Sequence, residues 1–402
     1  MNTQYNPDSG KVRCRIFCTL ARWIMTPFLR LFGDFHPKRY KPKAKSFILI
    51  ANHVQAFDPG YEMICVHKYM RFIASDHLER VPVAGWILKV FGGVLFKHKD
   101  RPSEELTEKI IASVKAGVPV AIHAEGGTSK NGETGFISEH TGQLVKDSGA
   151  ALITARNIGG YLRAPRWAKN RRKGPAFTRV VAEYSAEELA GLSVSEITEI
   201  IRRDTYVNIY DEQRKDPHEY TGKALCEELE RSVYICPSCS GIQTMRSRGD
   251  TFTCDKCGYS VGMDKLGFFT ENGTGVMFSN IAAWDRFQKQ EWQRIVTSAP
   301  DGRIIFEEKH QKVYKIEKDK SKKLLSDDAI LRLYPDSFWI VLGGSKGSVT
   351  VPFDRIERVL SVSKTGLAII SDECYLDLRT EYPRCAEKYV AAWRWKTGRA
   401  YL

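Results

Sequence analysis

The chain has 402 residues, 43% hydrophobic and 27% charged, with a net charge of +13. That length and ordinary globular composition predict two to four folded domains with ample buried core, and leave out a disordered or fibrous chain. The basic excess suits an anionic membrane, a nucleic acid or an acidic carrier, or else a plain solvated face.

The excess is uneven. Residues 1–45 hold ten Lys or Arg against two acids, and "RAPRWAKNRRK" spans Arg163 to Lys173. No apolar run followed by a small-residue cleavage site marks a secretory signal. The most apolar window, residues 16–33, contains Arg22, Pro27 and Arg30 and makes a poor membrane span. It reads as two short helices, the second capped by Thr26 with Pro27 at its first position. In the first, Phe17, Leu20, Ala21 and Ile24 share one side, and Arg15, Thr19 and Arg22 the other. Such a helix suits the membrane interface, or packs its apolar side on the protein's own core.

From residue 46 to about 185 strands alternate with helices. "SFILIA" and "PVAIHA" read as buried strands, with "ALITA" and "RVVAEY" weaker versions. "SEELTEKIIASVKAG" is a helix between Ser103 and Gly117, and "SEITEIIRRDTYVNIYDEQRK" is another. This pattern predicts an α/β sheet over 46–215 with functional loops at strand ends. Residues 1–45 precede it as interfacial helices and a basic linker.

A helical linker and a cysteine-bearing module are predicted over 216–270. "CPSC" (Cys236, Cys239) and "CDKC" (Cys254, Cys257) each set two thiolates on a tight knuckle, and Gly258 supplies permissive backbone after the second. Together they predict a closed, structural zinc ribbon, with a redox dithiol or disulfide pair as the alternative. Thiols that stay reduced point to a cytoplasm-facing location. The fourteen residues between the pairs are only mildly basic, so nucleic acid is not expected as a partner. A helical linker fills 271–300. Over 301–402, seven short strands ("RIIFEE", "KVYKIE", "AILRLY", "FWIVLG", "SVTVPF", "LAIISD", "CYLDLR") and the helix "CAEKYVAAWRW" predict an antiparallel β barrel with a capping helix. On pattern alone this resembles a pleckstrin-homology domain, and its role stays open.

Three stretches of the α/β part carry chemistry. In "NHVQAFD", His53 follows a strand and Asp58-Pro59 is a good helix start. A carboxylate held there beside the imidazole would fix its tautomer and let it act as a general base. "HAEGGTSKNGETG", residues 123–135, ends a strand in glycines whose N–H groups can bind an anion; a surface hairpin is the plainer reading. "GWILKVFGGVLFKHKDR", residues 85–101, sets Lys97, Lys99 and Arg101 after Phe96, where they could hold a phosphate or simply be solvated.

In this order the three blocks resemble the 1-acylglycerol-3-phosphate acyltransferases, over residues 10–215. The family's N-H-x4-D is met by Asn52, His53 and Asp58. Its G-x-I-F-x-x-R block is met by Gly93 and Phe96, with Lys99 at the arginine position. Its E-G-T-R-S block becomes Glu125, Gly126, Gly127, Thr128 and Ser129, then Gly132. Its apolar V-P strand corresponds to "ALITARNIGG", without the proline. The resemblance implies catalytic His53, Asp58 and Glu125, and acceptor-binding Asn52, Gly93, Phe96, Lys99, Arg101, Gly126, Gly127, Thr128, Ser129 and Lys130. It implies an acyl-CoA or acyl-carrier-protein donor, a lysophospholipid acceptor and no catalytic cofactor, at the cytoplasmic face of an anionic membrane as a peripheral or monotopic enzyme. The pair His53–Asp58 is intact while the phosphate-gripping arginines are altered, because lysine is only a point charge and threonine carries none. The default acceptor is therefore 1-acylglycerol-3-phosphate. The alternatives are another lysophospholipid or a non-catalytic binding protein.

Overall fold

The structure, a computed structural model, describes residues 5–399 apart from 9, 34, 36, 80, 98–103, 318, 320 and 363. It divides into two compact units, Met1–Arg166 with Arg171–Thr221, and Trp167–Asn170 with Gly222–Leu402.

The first unit runs α1 (Lys11–Gly33), β1 (Phe47–Ala51), α2 (Asp58–Cys65), β2 (Arg71–Ser75), α3 (Asp76–Glu79), α4 (Ala84–Val90), β3 (Leu95–Lys97), α5 (Glu104–Lys115), β4 (Val120–His123), α6 (Glu139–Ser148), β5 (Ala151–Ile158), α7 (Gly160–Arg163), β6 (Phe177–Tyr184), α8 (Ala186–Ala190), α9 (Val194–Thr205) and α10 (Ile209–Lys215). Its sheet has the order β3-β2-β4-β1-β5-β6. All ladders are parallel except β5–β6. The apolar run Phe47–Ala51 is buried on both faces, as a central parallel strand must be. Ile48 and Ile50 pack with Leu106, Ile110 and Val114 of α5 and Ile197 and Ile201 of α9. Phe47, Leu49 and Ala51 pack with Val66, Met70 and Ile153 on the other face. Strands β2 and β3 escaped the sequence reading, being short and only half-buried. The single helix expected from "SEITEIIRRDTYVNIYDEQRK" is two: it breaks at 206–208, and Asn208 caps α10 by accepting from Tyr210 N–H.

The two N-terminal helices expected are one continuous helix, α1, with Pro27 inside it. Thr26 is no cap; its hydroxyl donates to Arg22 O one turn back. Tertiary contacts outweigh the cost of an interior proline. Arg13 Nε donates to Val90 O, Lys11 Nζ to Ala116 O and Arg22 Nε to Met63 O, at 2.9–3.0 Å. These carbonyls lie at the C-terminal ends of α4, α5 and α2, where helices lack internal donors and favour cations. Arg22 therefore faces inward rather than along a solvent strip. Cys14, Cys18 and Leu29 are buried, while Val12, Ile16, Leu20, Trp23, Ile24, Phe28 and Leu31 stand exposed along one side. The apolar side expected from sequence is thus divided: Phe17 and Ala21 lean on the protein, Leu20 and Ile24 point away from it.

The second unit runs β7 (Met245–Arg248), β8 (Thr251–Cys254), β9 (Ser260–Met263), β10 (Phe269–Glu271), α11 (Ile281–Ser298), β11 (Phe306–Ile316), β12 (Lys322–Leu333), β13 (Ser337–Val341), β14 (Ser348–Pro352), β15 (Ile356–Val362), β16 (Gly366–Ser371), β17 (Tyr375–Arg379) and α12 (Glu387–Thr397). Residues 216–235, expected as a helical linker, form turns with one 3-10 turn at Leu229–Arg231. Nor is α11 a linker. Trp284, Gln288, Trp292 and Val296 recur every four residues and are fully buried. The indole of Trp284 packs against Phe252, Tyr259 and Phe269 of the cysteine-bearing sheet, and that of Trp292 donates to Lys388 O in α12. The expected strands "RIIFEE" and "KVYKIE" are joined in β11, and β15 was not foreseen. The seven strands form one antiparallel sheet, β14-β13-β12-β11-β17-β16-β15, with β14 and β15 at its edges. Among the described residues no ladder joins those edges, so the expected barrel is an open sheet. It curls around one core with residues from all seven strands, α11 and α12.

Gly142 in α6 is where α9 comes closest. A Cβ there would lie 2.6 Å from Val194 O and 2.1 Å from the Thr198 hydroxyl oxygen. Gly142→Ala is therefore expected to lower stability by about 1–3 kcal/mol, as overpacking does, measured by urea unfolding. An unchanged midpoint would show that the two helices separate freely.

Candidate active site and a four-cysteine cluster

Strand β1 delivers Asn52 and His53 just past its carboxyl end, between its parallel neighbours β4 and β5. This is where ligands bind in open α/β sheets. The chain then turns, with Asp58 N–H donating to Gln55 O. The Asp58 side chain does not cap α2 as expected; Phe57 is the capping residue and offers no side-chain bond. The carboxylate folds back over the turn instead. Its Oδ2 accepts from His53 Nδ1 at 2.9 Å, Val54 N–H at 2.7 Å and Gln55 N–H at 3.0 Å. Asp58 is fully buried, whereas the His53 side chain is 20% exposed. With Nδ1 committed to the carboxylate, Nε2 is the nitrogen left for a substrate proton.

The glycine-rich stretch after β4 is joined to the same residue. Glu125 Oε1 accepts from His53 N–H at 2.6 Å, and its Oε2 from Gly135 N–H at 2.5 Å. Ser129 N–H donates to His53 O at 2.8 Å. Glu125 thus holds the histidine's backbone; both its oxygens are spent on peptide N–H groups, away from the imidazole. Burial pushes its carboxyl up to about 7, against the pull of those N–H groups and of His123. Ser129 is buried and ties its own loop, donating to Glu133 O and accepting from Gly132 N–H. Gly126 and Gly127 are exposed, Gly126 at φ +69°, and nothing crowds either one. Their peptide edge is open to a reacting oxyanion. Thr128 is half-buried and Lys130 exposed on the same loop.

Two other expected acceptor contacts, Asn52 and Gly93, have structural partners. Asn52 is buried and locks β1 to β5: its Nδ2 donates to Asn157 O, and its Oδ1 accepts from Asn157 N–H. Gly93, at φ +63°, leaves room for the Tyr69 hydroxyl, which a Cβ would meet at 2.5 Å. Phe96 is half-buried in β3. Lys99 and Arg101 lie outside the described residues.

Sequence reading missed His123, Glu62 and Asn157. The His123 ring stacks on that of His53, centroids 4.1 Å apart and planes at 10°. Its Nε2 is 2.8 Å from Glu62 Oε1, which also accepts from Asn157 Nδ2 at 2.7 Å. A histidine ending "PVAIHA" was the only available signal. His53, Asp58 and His123 have ligand atoms within 4.8 Å of one another. Parallel stacked rings cannot aim their in-plane lone pairs at one ion, so the trio fits hydrogen-bonded catalysis better than metal binding.

In the second unit the sulfurs of Cys236, Cys239, Cys254 and Cys257 lie within 4.8 Å of one another, a group that could hold a metal ion. Cys236–Cys257 is 3.7 Å and Cys239–Cys254 3.8 Å. A tetrahedral Zn–S4 site with bonds of about 2.3 Å has sulfurs about 3.8 Å apart, so the set fits zinc. Each knuckle turns just after its second cysteine, through Ser240 at φ +53° and Gly258 at φ +77°. Cys236 N–H donates to Gly241 O and Cys254 N–H to Tyr259 O, closing the two loops.

Residues 34–156 match the family model described as Acyltransferase. Two curated plant proteins are each 25% identical over 113 residues, 28% of this chain: chloroplastic 1-acyl-sn-glycerol-3-phosphate acyltransferases LPAT1 of Arabidopsis thaliana and BAT2 of Brassica napus. The chain spans about a third of each, 32% and 33%. Among solved structures, the LPA acyltransferase PlsC of Thermotoga maritima is similar at 19% identity and TM-score 0.39, over 52% of this chain and 83% of that one. The Vps36 N-terminal PH domain is similar at 14% identity and TM-score 0.20, over 24% of this chain and 80% of that one. With the N-H-x4-D block built into an imidazole–carboxylate pair and the third block fastened to the same histidine, the α/β unit carries the matched Acyltransferase region and is similar to 1-acylglycerol-3-phosphate acyltransferases.

Proposed function

We propose that this chain acylates the free hydroxyl of 1-acylglycerol-3-phosphate, taking the acyl group from the thioester of acyl-CoA or acyl-carrier protein. The observation that carries the reading is the 2.9 Å contact between His53 Nδ1 and the buried Asp58 carboxylate. The acceptor oxygen attacks the thioester carbonyl as its proton passes to His53 Nε2, and Asp58 stabilises the resulting imidazolium. The tetrahedral oxyanion rests against the open peptide edge at Gly126–Gly127. The C–S bond then breaks, and the departing thiolate takes the proton back from the imidazolium. The chemistry calls for no catalytic metal and no acyl-enzyme.

The exposed apolar side of α1 supports a membrane-interface role, since a lysophospholipid and its product are both membrane-borne. Seven large apolar side chains on one helix face, beside exposed Arg15 and Arg30, fit the acyl–headgroup boundary of an anionic leaflet. Among the described residues no helix is long and apolar enough to cross a membrane. On the exposed side of α1 rests the reading of a monotopic or peripheral enzyme, which we place at a cytoplasmic membrane face. In the second unit, the sulfur spacing supports a structural zinc ion.

His53→Ala is expected to reduce acyl transfer by about 10²–10⁴-fold, the usual contribution of a general base. Asp58→Asn should cost a similar or somewhat smaller factor. An acyl-transfer assay with a panel of lysophospholipids and both donors checks this, and wild-type rates in His53→Ala would overturn the mechanism. Trp23→Glu, at a largely exposed position, is expected to weaken binding to anionic vesicles without changing the melting temperature, as read by sedimentation and thermal unfolding. Undiminished vesicle binding would move the anchor elsewhere. Reduced, folded protein should carry about one zinc per chain by elemental analysis, and Cys236→Ser should lower both metal content and stability.

A further inference from the structure

His123 is not needed to explain proton transfer to His53, yet it is the ring's nearest companion. It lies flat against His53 with centroids 4.1 Å apart. Glu62, 1% exposed, holds its Nε2 at 2.8 Å. Glu62 is itself fixed by Asn157, whose side-chain oxygen accepts from Thr178 and whose side-chain nitrogen also donates to Asn52 O. This chain of buried hydrogen bonds orders His123 from β5 and β6. The charged or titratable groups facing it are Glu62 and Asp58 from α2, Glu125 from the turn after β4, and His53 from the loop after β1. Burial opposes a charge on the His123 ring, but the Glu62 carboxylate in contact, with Asp58 and Glu125 behind it, raises its pKa to about 9. Those carboxylates favour the imidazolium form of His123.

We propose that Glu62–His123 is a second carboxylate–imidazole pair acting through the first: His123 is a positioning residue whose flat ring aligns His53 and offsets part of the charge of the carboxylates around it. This rests on the reading of His53 as the base. Asp58, Glu62 and Glu125 face the two rings, and the positive charge of His123 offsets part of that negative field. Without the His123 charge, the surrounding carboxylates would favour a proton on His53 beforehand, and a protonated ring is no base. With it, a second cation stacked at this distance is disfavoured until the reaction delivers one.

The test is the pH profile of kcat/KM in the full-length protein, with an acyl-CoA and 1-acylglycerol-3-phosphate. His123→Phe keeps a flat ring and removes the charge. Its acid limb is expected about one pH unit or more above wild type, so that activity falls near neutrality and recovers at higher pH. Glu62→Gln added to His123→Phe removes the unbalanced carboxylate and should move the limb back toward wild type. His123→Gln, which can still donate to Glu62, should show the same upward shift and stands in if the phenylalanine variant melts early. A folded variant whose rate falls equally at every pH, with the limb unmoved, would reduce His123 to packing and overturn the proposal. The parent reading fails separately, by undiminished turnover in His53→Ala.

Discussion

One buried oxygen atom, Asp58 Oδ2, receives a hydrogen bond from the His53 ring and two from the peptide N–H groups that follow it. An isolated carboxylate in that position would be costly; three donors to one oxygen offset that cost. The same three bonds bend the chain between residue 53 and residue 58, which neither helical nor strand geometry would bring together. Folding the loop and orienting the imidazole are therefore one event.

The sheet supplies the second constraint. Because β4 and β5 flank β1 in parallel, three strand ends open at one place. His53 is held there by its own peptide, between Glu125 and Ser129, while Asn52 and Asn157 bind β1 to β5 just behind it. Two sequence blocks separated by about seventy residues are in this sense one structure. The carboxylates Asp58, Glu62 and Glu125 act on the His123 ring, which stacks on that of His53.

Elsewhere, basic residues do structural work that net charge conceals. Lys11, Arg13 and Arg22 satisfy carbonyls at the ends of other helices and so fasten α1 along its length. With its inner side held this way, α1 turns seven large apolar residues outward. In the second unit the four cysteines sit on hairpin knuckles, and Trp284 of α11 braces the sheet that carries them.

The order of blocks, the His53–Asp58 pair and the two C-x-x-C knuckles were legible in the sequence, because each depends on residues a few positions apart and on local turn chemistry. So were the buried strands β1, β4 and β5, whose apolar runs leave little choice of environment. The continuity of α1 through Pro27 was not legible, since its stability comes from residues up to a hundred positions away. Nor were the open sheet edges, which follow from strand pairing rather than strand content. Glu125, implied as catalytic by the resemblance, accepts from the peptide N–H groups of His53 and Gly135; His123, given no role from sequence, lies against the His53 ring. Sequence determined which chemical groups are present and which neighbours could share a turn. Only the tertiary structure decided which carboxylate meets a ring and which meets a peptide, because a contact between β4, α2 and the loop after β1 is set by sheet order and packing across more than sixty residues.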